Sequence, residues 1–265
     1  MHALTAIANG RFTPRALRVY LAALIVGFYG LILPCWWLFP AENNFSILTH
    51  TFSYLGSWEE DRNPRAWWLF SIAMTAWGLA SIPLVLYSWR RAAPWARRAP
   101  RVLPGLLLAG CAGIIIVGLF PDTRDAIIGP LRWTRVHYFG ALFIVVGFLG
   151  GVPWLGALVR RAARDPRLPE DVRRAYARAQ WPHACFAAIC AVALFFLIRW
   201  EIIYPGLKAA AEAEGREFGS RWREAMNTIY SFPLWDNVFV QTLFIYLVWT
   251  ALALPAREPG TLDAK

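Results

Sequence analysis

The sequence predicts an all-α, polytopic membrane protein. It is a single domain of six transmembrane helices, with both termini cytoplasmic and short amphipathic helices on the exoplasmic side. Three observations predict it. The 265 residues are 58% hydrophobic and only 17% charged, with a mean hydropathy of +0.40. Six runs meet or approach the ~20 apolar residues that a helix needs to cross the hydrocarbon core: 17–39, 66–88, 102–120, 136–158, 183–204 and 234–254. Basic residues gather between alternate runs, as the positive-inside rule requires. Lipid admits only helices or closed barrels, and the ten-residue alternating strands of a barrel are absent.

The elements follow in chain order. A basic tail with Arg11, Arg15 and Arg18 precedes the first run, as in a signal peptide. That run is too long for one and no small-x-small cleavage site follows it; Pro34 before Cys35 also breaks a lipoprotein box. The first helix is therefore expected to be retained. The second run is followed by "RRAAPWARRAPR" and the fourth by "RRAARDPRLPEDVRRAYAR". With the tails, these segments hold 17 of the 27 basic residues but 5 of the 17 acids. The opposite loops hold 10 basic and 12 acidic residues. The net charge of +10 thus belongs to one membrane face, where it suits anionic headgroups, and not to a nucleic-acid surface.

Trp36, Trp37, Trp67, Trp68, Trp133, Trp154, Trp181, Trp200 and Trp235 fall near run ends and form an aromatic belt. Gly147 and Gly151 give a G-x-x-x-G spacing that permits close helix contact. Cys111, Cys185 and Cys190 lie inside the runs, show no C-x-x-C spacing and read as core thiols. In 205–233, Phe218, Trp222, Ala225 and Ile229 recur at helical spacing, which predicts an amphipathic surface helix.

The stretch "FSILTHTFSYLGSW", residues 45–58, carries the polar chemistry after the first helix. Taken as one helix, it places Ser46, His50, Ser53 and Ser57 on one arc and Phe45, Leu48, Phe52 and Leu55 opposite. The uncharged polar arc suits packing over the bundle mouth. Asp122 in "GLFPDTRD", His137 at the start of helix 4, Glu201 and Asp236 lie at similar depth. Ionisable groups are costly there, so Ser46, His50, Ser53, Asp122, His137, Glu201 and Asp236 are the candidate lining of an exoplasmic polar pocket. His50, His137 and Asp122 can supply the two nitrogens and one oxygen of a catalytic zinc site. His50 and His137 can alternatively hold a haem.

Ser53-Tyr54-Leu55-Gly56, "GLFPD" and His137 resemble the corresponding features of the six-helix Frag, DRAM and Sfk membrane proteins and their bacterial relatives. Many members carry an acid where this chain has Tyr54. The resemblance implies lipid handling or membrane-lipid organisation. The leading expectation is a bacterial inner-membrane protein that binds a membrane lipid or amphiphile by its headgroup. The alternatives are a zinc-dependent lipid hydrolase and a non-catalytic subunit with a protein partner in the membrane. The charge asymmetry predicts that a C-terminal fusion to a cytoplasmic reporter is active and that a periplasmic reporter is silent. The reverse pattern inverts the assignment of sides.

Overall fold

The computed structural model describes residues 2–96, 101–215 and 228–255. Among them are eight α-helices: α1 (His2–Ala8), α2 (Pro14–Trp37), α3 (Trp67–Ala92), α4 (Val102–Leu119), α5 (Trp133–Ala163), α6 (Glu170–Arg178), α7 (Gln180–Ala213) and α8 (Phe232–Ala253). One antiparallel hairpin, β1 (Ala126–Ile128) and β2 (Leu131–Arg132), separates α4 from α5. Six helices, α2, α3, α4, α5, α7 and α8, are long and apolar enough to cross a membrane. The chain is a multi-pass membrane protein.

Residue choice explains the ends. The Thr13 hydroxyl accepts the Ala16 N–H and Pro14 opens α2, where a missing amide hydrogen costs nothing. Ser231 caps α8 the same way, through Leu234 N–H, with Pro233 in the first turn. Pro34, Pro83 and Pro153 sit inside α2, α3 and α5. α7 runs on to Ala213, nine residues beyond the expected end of its span at 204; it passes through Pro205 and Gly206 and ends in the alanine-rich "LKAAAEA", whose residues favour helix. Phe218, Trp222 and Ala225 of the expected surface helix lie outside the described residues.

The tightest packing joins α4 and α5, and glycine makes it possible. A Cβ on Gly147 would land on the backbone of Gly110, and one on Gly151 would strike the Leu107 side chain. A Cβ on Gly113 would come 2.5 Å from Gly140 O. The two backbones are therefore in direct contact, which matters in lipid because apolar helices gain nothing there from leaving water. At the α2–α3–α8 junction, the Phe28 ring stacks on Phe244 at 4.5 Å and meets Trp77 edge-on at 5.2 Å. The Tyr29 hydroxyl crosses to Gln241 Oε1 at 2.8 Å.

This architecture places the 38–66 connection, the 120–132 connection and the start of α8 at one end of the bundle. The basic connections lie at the other. Gly147→Leu is expected to force α4 and α5 apart and to destabilise the protein by roughly 1–3 kcal/mol or more. A clear fall in the melting midpoint in detergent checks it, with Gly105→Ala, whose Cβ meets nothing, as the control.

Candidate functional site at the polar end of the bundle

The connection 38–66 is not a single helix. Asn44 takes the left-handed conformation at φ 45°, residues 47–49 form a turn, and a 3-10 helix covers Phe52–Gly56 after an extended Thr51 at φ −63°, ψ 159°. Two interactions break the expected helical arc. The Ser46 N–H donates to Nδ1 of His50 at 3.2 Å, which closes a tight local turn. The Asp236 carboxylate, reaching from α8, accepts the Phe52 N–H at 2.9 Å and starts a new turn there. A side chain 184 positions away thus outweighs helical periodicity.

Behind this loop lies an ionic network that few sequence signals announced. The Arg62 guanidinium is buried, with 8% of its surface exposed; Asp122 has 5%. Nη1 of Arg62 donates to the Asp122 carbonyl at 2.6 Å and to its carboxylate at 3.1 Å. Nε faces Glu59 Oε2 at 3.2 Å, and the guanidinium lies 4.2 Å over the Tyr54 ring. The Ser53 hydroxyl donates to the same Asp122 oxygen at 3.3 Å. Glu59 in turn accepts the Arg124 N–H and the Thr123 hydroxyl. Arg124 is held above its ordinary pKa, chiefly by Glu59, so it stays charged. Burial pushes the Tyr54 phenol up, which keeps that ring neutral under Arg62.

His137, 4% exposed, directs Nδ1 to the Phe120 carbonyl at 2.8 Å. A carbonyl only accepts, so Nδ1 carries the proton. The bond satisfies a carbonyl at the end of α4 with a side chain from the start of α5. Asn237 follows Asp236 on α8 and donates to the His50 carbonyl at 2.9 Å and to Pro233 O at 2.8 Å. Four spanning helices therefore contribute to holding one loop: α3 adjoins it, α4 and α5 support Asp122, and α8 grips both sides of Thr51.

His50 sits at the rim of this assembly. Because its Nδ1 accepts from Ser46, the neutral ring carries its proton on Nε2, which has no hydrogen-bond partner among the described residues. The Thr49 hydroxyl lies 2.8 Å from Nδ1. Phe45 stacks on the imidazole at 5.5 Å, with Tyr54 edge-on at 4.9 Å and Phe39 at 6.3 Å. Burial in these rings holds the His50 pKa below its ordinary 6.5. The neutral ring is the folded form at neutral pH.

Of the expected residues, the structure joins Ser53 directly to Asp122, Asp236 and His50 to the same loop backbone, and Ser46 to His50. His137 reaches this group through Phe120, two residues before Asp122. The side chain of Glu201 lies outside the described residues. At this end the side chains of Ser53, Glu59, Arg62 and Asp122 pair with one another. Grooves of about 640 and 270 Å³ lie along α2, the smaller one between α2 and α3. Among the described residues no three His, Cys, Asp or Glu side chains gather as metal ligands, so His50, Asp122 and His137 do not assemble a zinc site. His50 and His137 are each engaged at Nδ1 by different elements, one by its own turn and one by the end of α4.

Glu59, Arg62, Thr123, Arg124 and Asn237 escaped the sequence reading. The spacing Glu59-x-x-Arg62 beside a span was the one available signal. No protein-family model, curated protein or solved structure matches this chain.

Asp122→Ala leaves a buried guanidinium without one of its two acids and is expected to destabilise by about 3 kcal/mol or more. Arg65→Ala breaks only the exposed 3.8 Å pair with Glu42 and should change stability by less than ~1 kcal/mol. Thermal unfolding of the two variants in the same detergent compares them.

Proposed function

We propose that the polar end binds the headgroup of a membrane lipid or amphiphile, with the His50 Nε2–H as donor to a phosphate or carbonyl oxygen. The observation that carries this reading is the uncommitted Nε2–H, fixed in orientation by the Ser46 bond and set among the rings of Phe45, Tyr54 and Phe39. An aromatic wall with one aimed donor suits a molecule that is apolar along its body and an acceptor at its tip. The buried network of Glu59, Arg62 and Asp122 acts as the support that holds this rim still. The likeness to the Frag, DRAM and Sfk group implies lipid handling as well. On this reading the membrane is a bacterial inner membrane, and the polar end is exoplasmic with both termini cytoplasmic, an orientation that the charge asymmetry supports.

Protonation works against the site. An imidazolium carries a hydrogen on Nδ1, which would face the Ser46 N–H. A depressed His50 pKa means that the unfolded chain takes up the proton first. The stability His50 contributes is therefore complete above about 6.5 and is lost as pH falls through its folded value. His50→Phe keeps the ring stack and removes the donor. With phosphatidylethanolamine as probe, native mass spectrometry should show retention falling roughly tenfold or more, as expected for one hydrogen bond to a charged group. Retention by the unchanged protein should persist through pH 6.5 and fall only at lower pH, as the pH passes through the depressed folded value of His50. Equal retention by His50→Phe and the unchanged protein would falsify the reading.

A further inference from the structure

The hairpin between α4 and α5 is fixed at its base and bare at its tip. At the base, the Trp58 indole N–H donates to Asp125 at 2.6 Å, and Trp133 N–H donates to Asp125 O at 3.2 Å. The Arg124 guanidinium reaches Asp61 at 3.1 Å, and the rings of Trp58 and Trp133 meet edge-on at 5.2 Å. The tip turns through Gly129, whose φ of +53° a side chain would rarely adopt, and Pro130. Ile128 flanks that turn with 77% of its surface exposed, and Leu131 with 43%. The two residues pair across the hairpin, and neither belongs to the buried core.

What covers them follows from the helix that comes next. Tyr138, Phe139, Leu142 and Val146 are exposed on α5 at the spacing of one helical face. That face is part of a spanning helix and meets lipid tails. Arg135 stands exposed one turn above it, and Arg132 lies in β2. Neither arginine has an ion-pair partner among the described residues; Arg135 only touches Pro130 O, at 3.4 Å. Apolar tip, two unpaired guanidiniums and lipid-facing stripe thus follow one another along one edge of the molecule.

We propose that this edge is an interfacial anchor for an anionic phospholipid. Ile128 and Leu131 enter the boundary between headgroups and acyl chains, Arg132 and Arg135 hold the phosphate, and the acyl chain runs along Phe139, Leu142 and Val146. A basic cluster beside exposed apolar residues is the pattern of interfacial lipid recognition. The continuity of the apolar surface with a spanning helix favours lipid over a protein partner. The inference rests on the membrane spans and not on His50.

The test uses the full chain with a nitroxide label at Ile128→Cys. Cys185 is changed to Ala because it is exposed, whereas Cys35, Cys111 and Cys190 are buried. The protein is reconstituted in vesicles of phosphatidylcholine with and without phosphatidylglycerol. Collision with oxygen reports lipid and collision with a nickel chelate reports water. Arg65→Cys supplies the aqueous reference and Leu142→Cys the lipid reference. The label at 128 is expected to resemble Leu142 and to move deeper as phosphatidylglycerol is added. Native mass spectrometry should show phosphatidylglycerol retained over phosphatidylcholine. That preference should fall about fivefold for each of Arg132→Gln and Arg135→Gln, the ratio that ~1 kcal/mol per basic side chain gives. A label as water-accessible as the Arg65 reference overturns the proposal. So does protection that grows with protein density and ignores phosphatidylglycerol, since that is the signature of a protein contact.

Discussion

Arg62 is the side chain on which the polar end of this protein depends. A buried guanidinium must be matched by acids and acceptors or it cannot stay buried. Glu59 meets it from its own connection and Asp122 from the next polar connection, 60 residues along the chain from Arg62. Meeting that requirement brings the α2–α3 loop down onto the end of α4. His137 then secures the same α4 terminus from α5, and Asp236 with Asn237 secures the loop from α8. Together they turn a 29-residue connection between helices into a fixed lid with a defined rim.

The rest of the bundle supplies the frame for that lid. Glycines bring α4 and α5 into backbone contact, which sets Phe120, Asp122 and His137 in register. The aromatic junction of Phe28, Trp77 and Phe244 joins α2, α3 and α8, the helices that carry the lid and its clamp. The chemistry sits on irregular backbone, while the spanning helices determine where that backbone lies.

The helices were legible because hydropathy and length answer to one solvent, the bilayer. The α4–α5 contact could be read from Gly147 and Gly151, and of the residues grouped at this end Ser53 bonds to Asp122 and Asp236 to the neighbouring Phe52 N–H. The shape of residues 45–58 could not be read. Helical periodicity assumes that each residue is governed by its near neighbours, and here Asp236 captures Phe52 from across the bundle. Arg62 and Glu59 were hidden because a loop charge is normally solvated, and only the fold turns "EEDR" into a buried cluster. The end of α7 was missed because hydropathy marks where lipid stops, not where a helix stops. The β hairpin was missed because its strands hold three residues and two, too few to show alternation.

The central claim is that one buried ion pair holds the lid and the end of α4 as a unit. Hydrogen exchange in lipid nanodiscs reads this directly, through the amides of 50–56 and of 120–124 in the unchanged protein and in Arg62→Met. If the claim holds, both segments are protected at first and lose protection together when Arg62 is replaced, although they lie far apart in sequence. Faster exchange confined to the residues around position 62, with 120–124 unchanged, would contradict it.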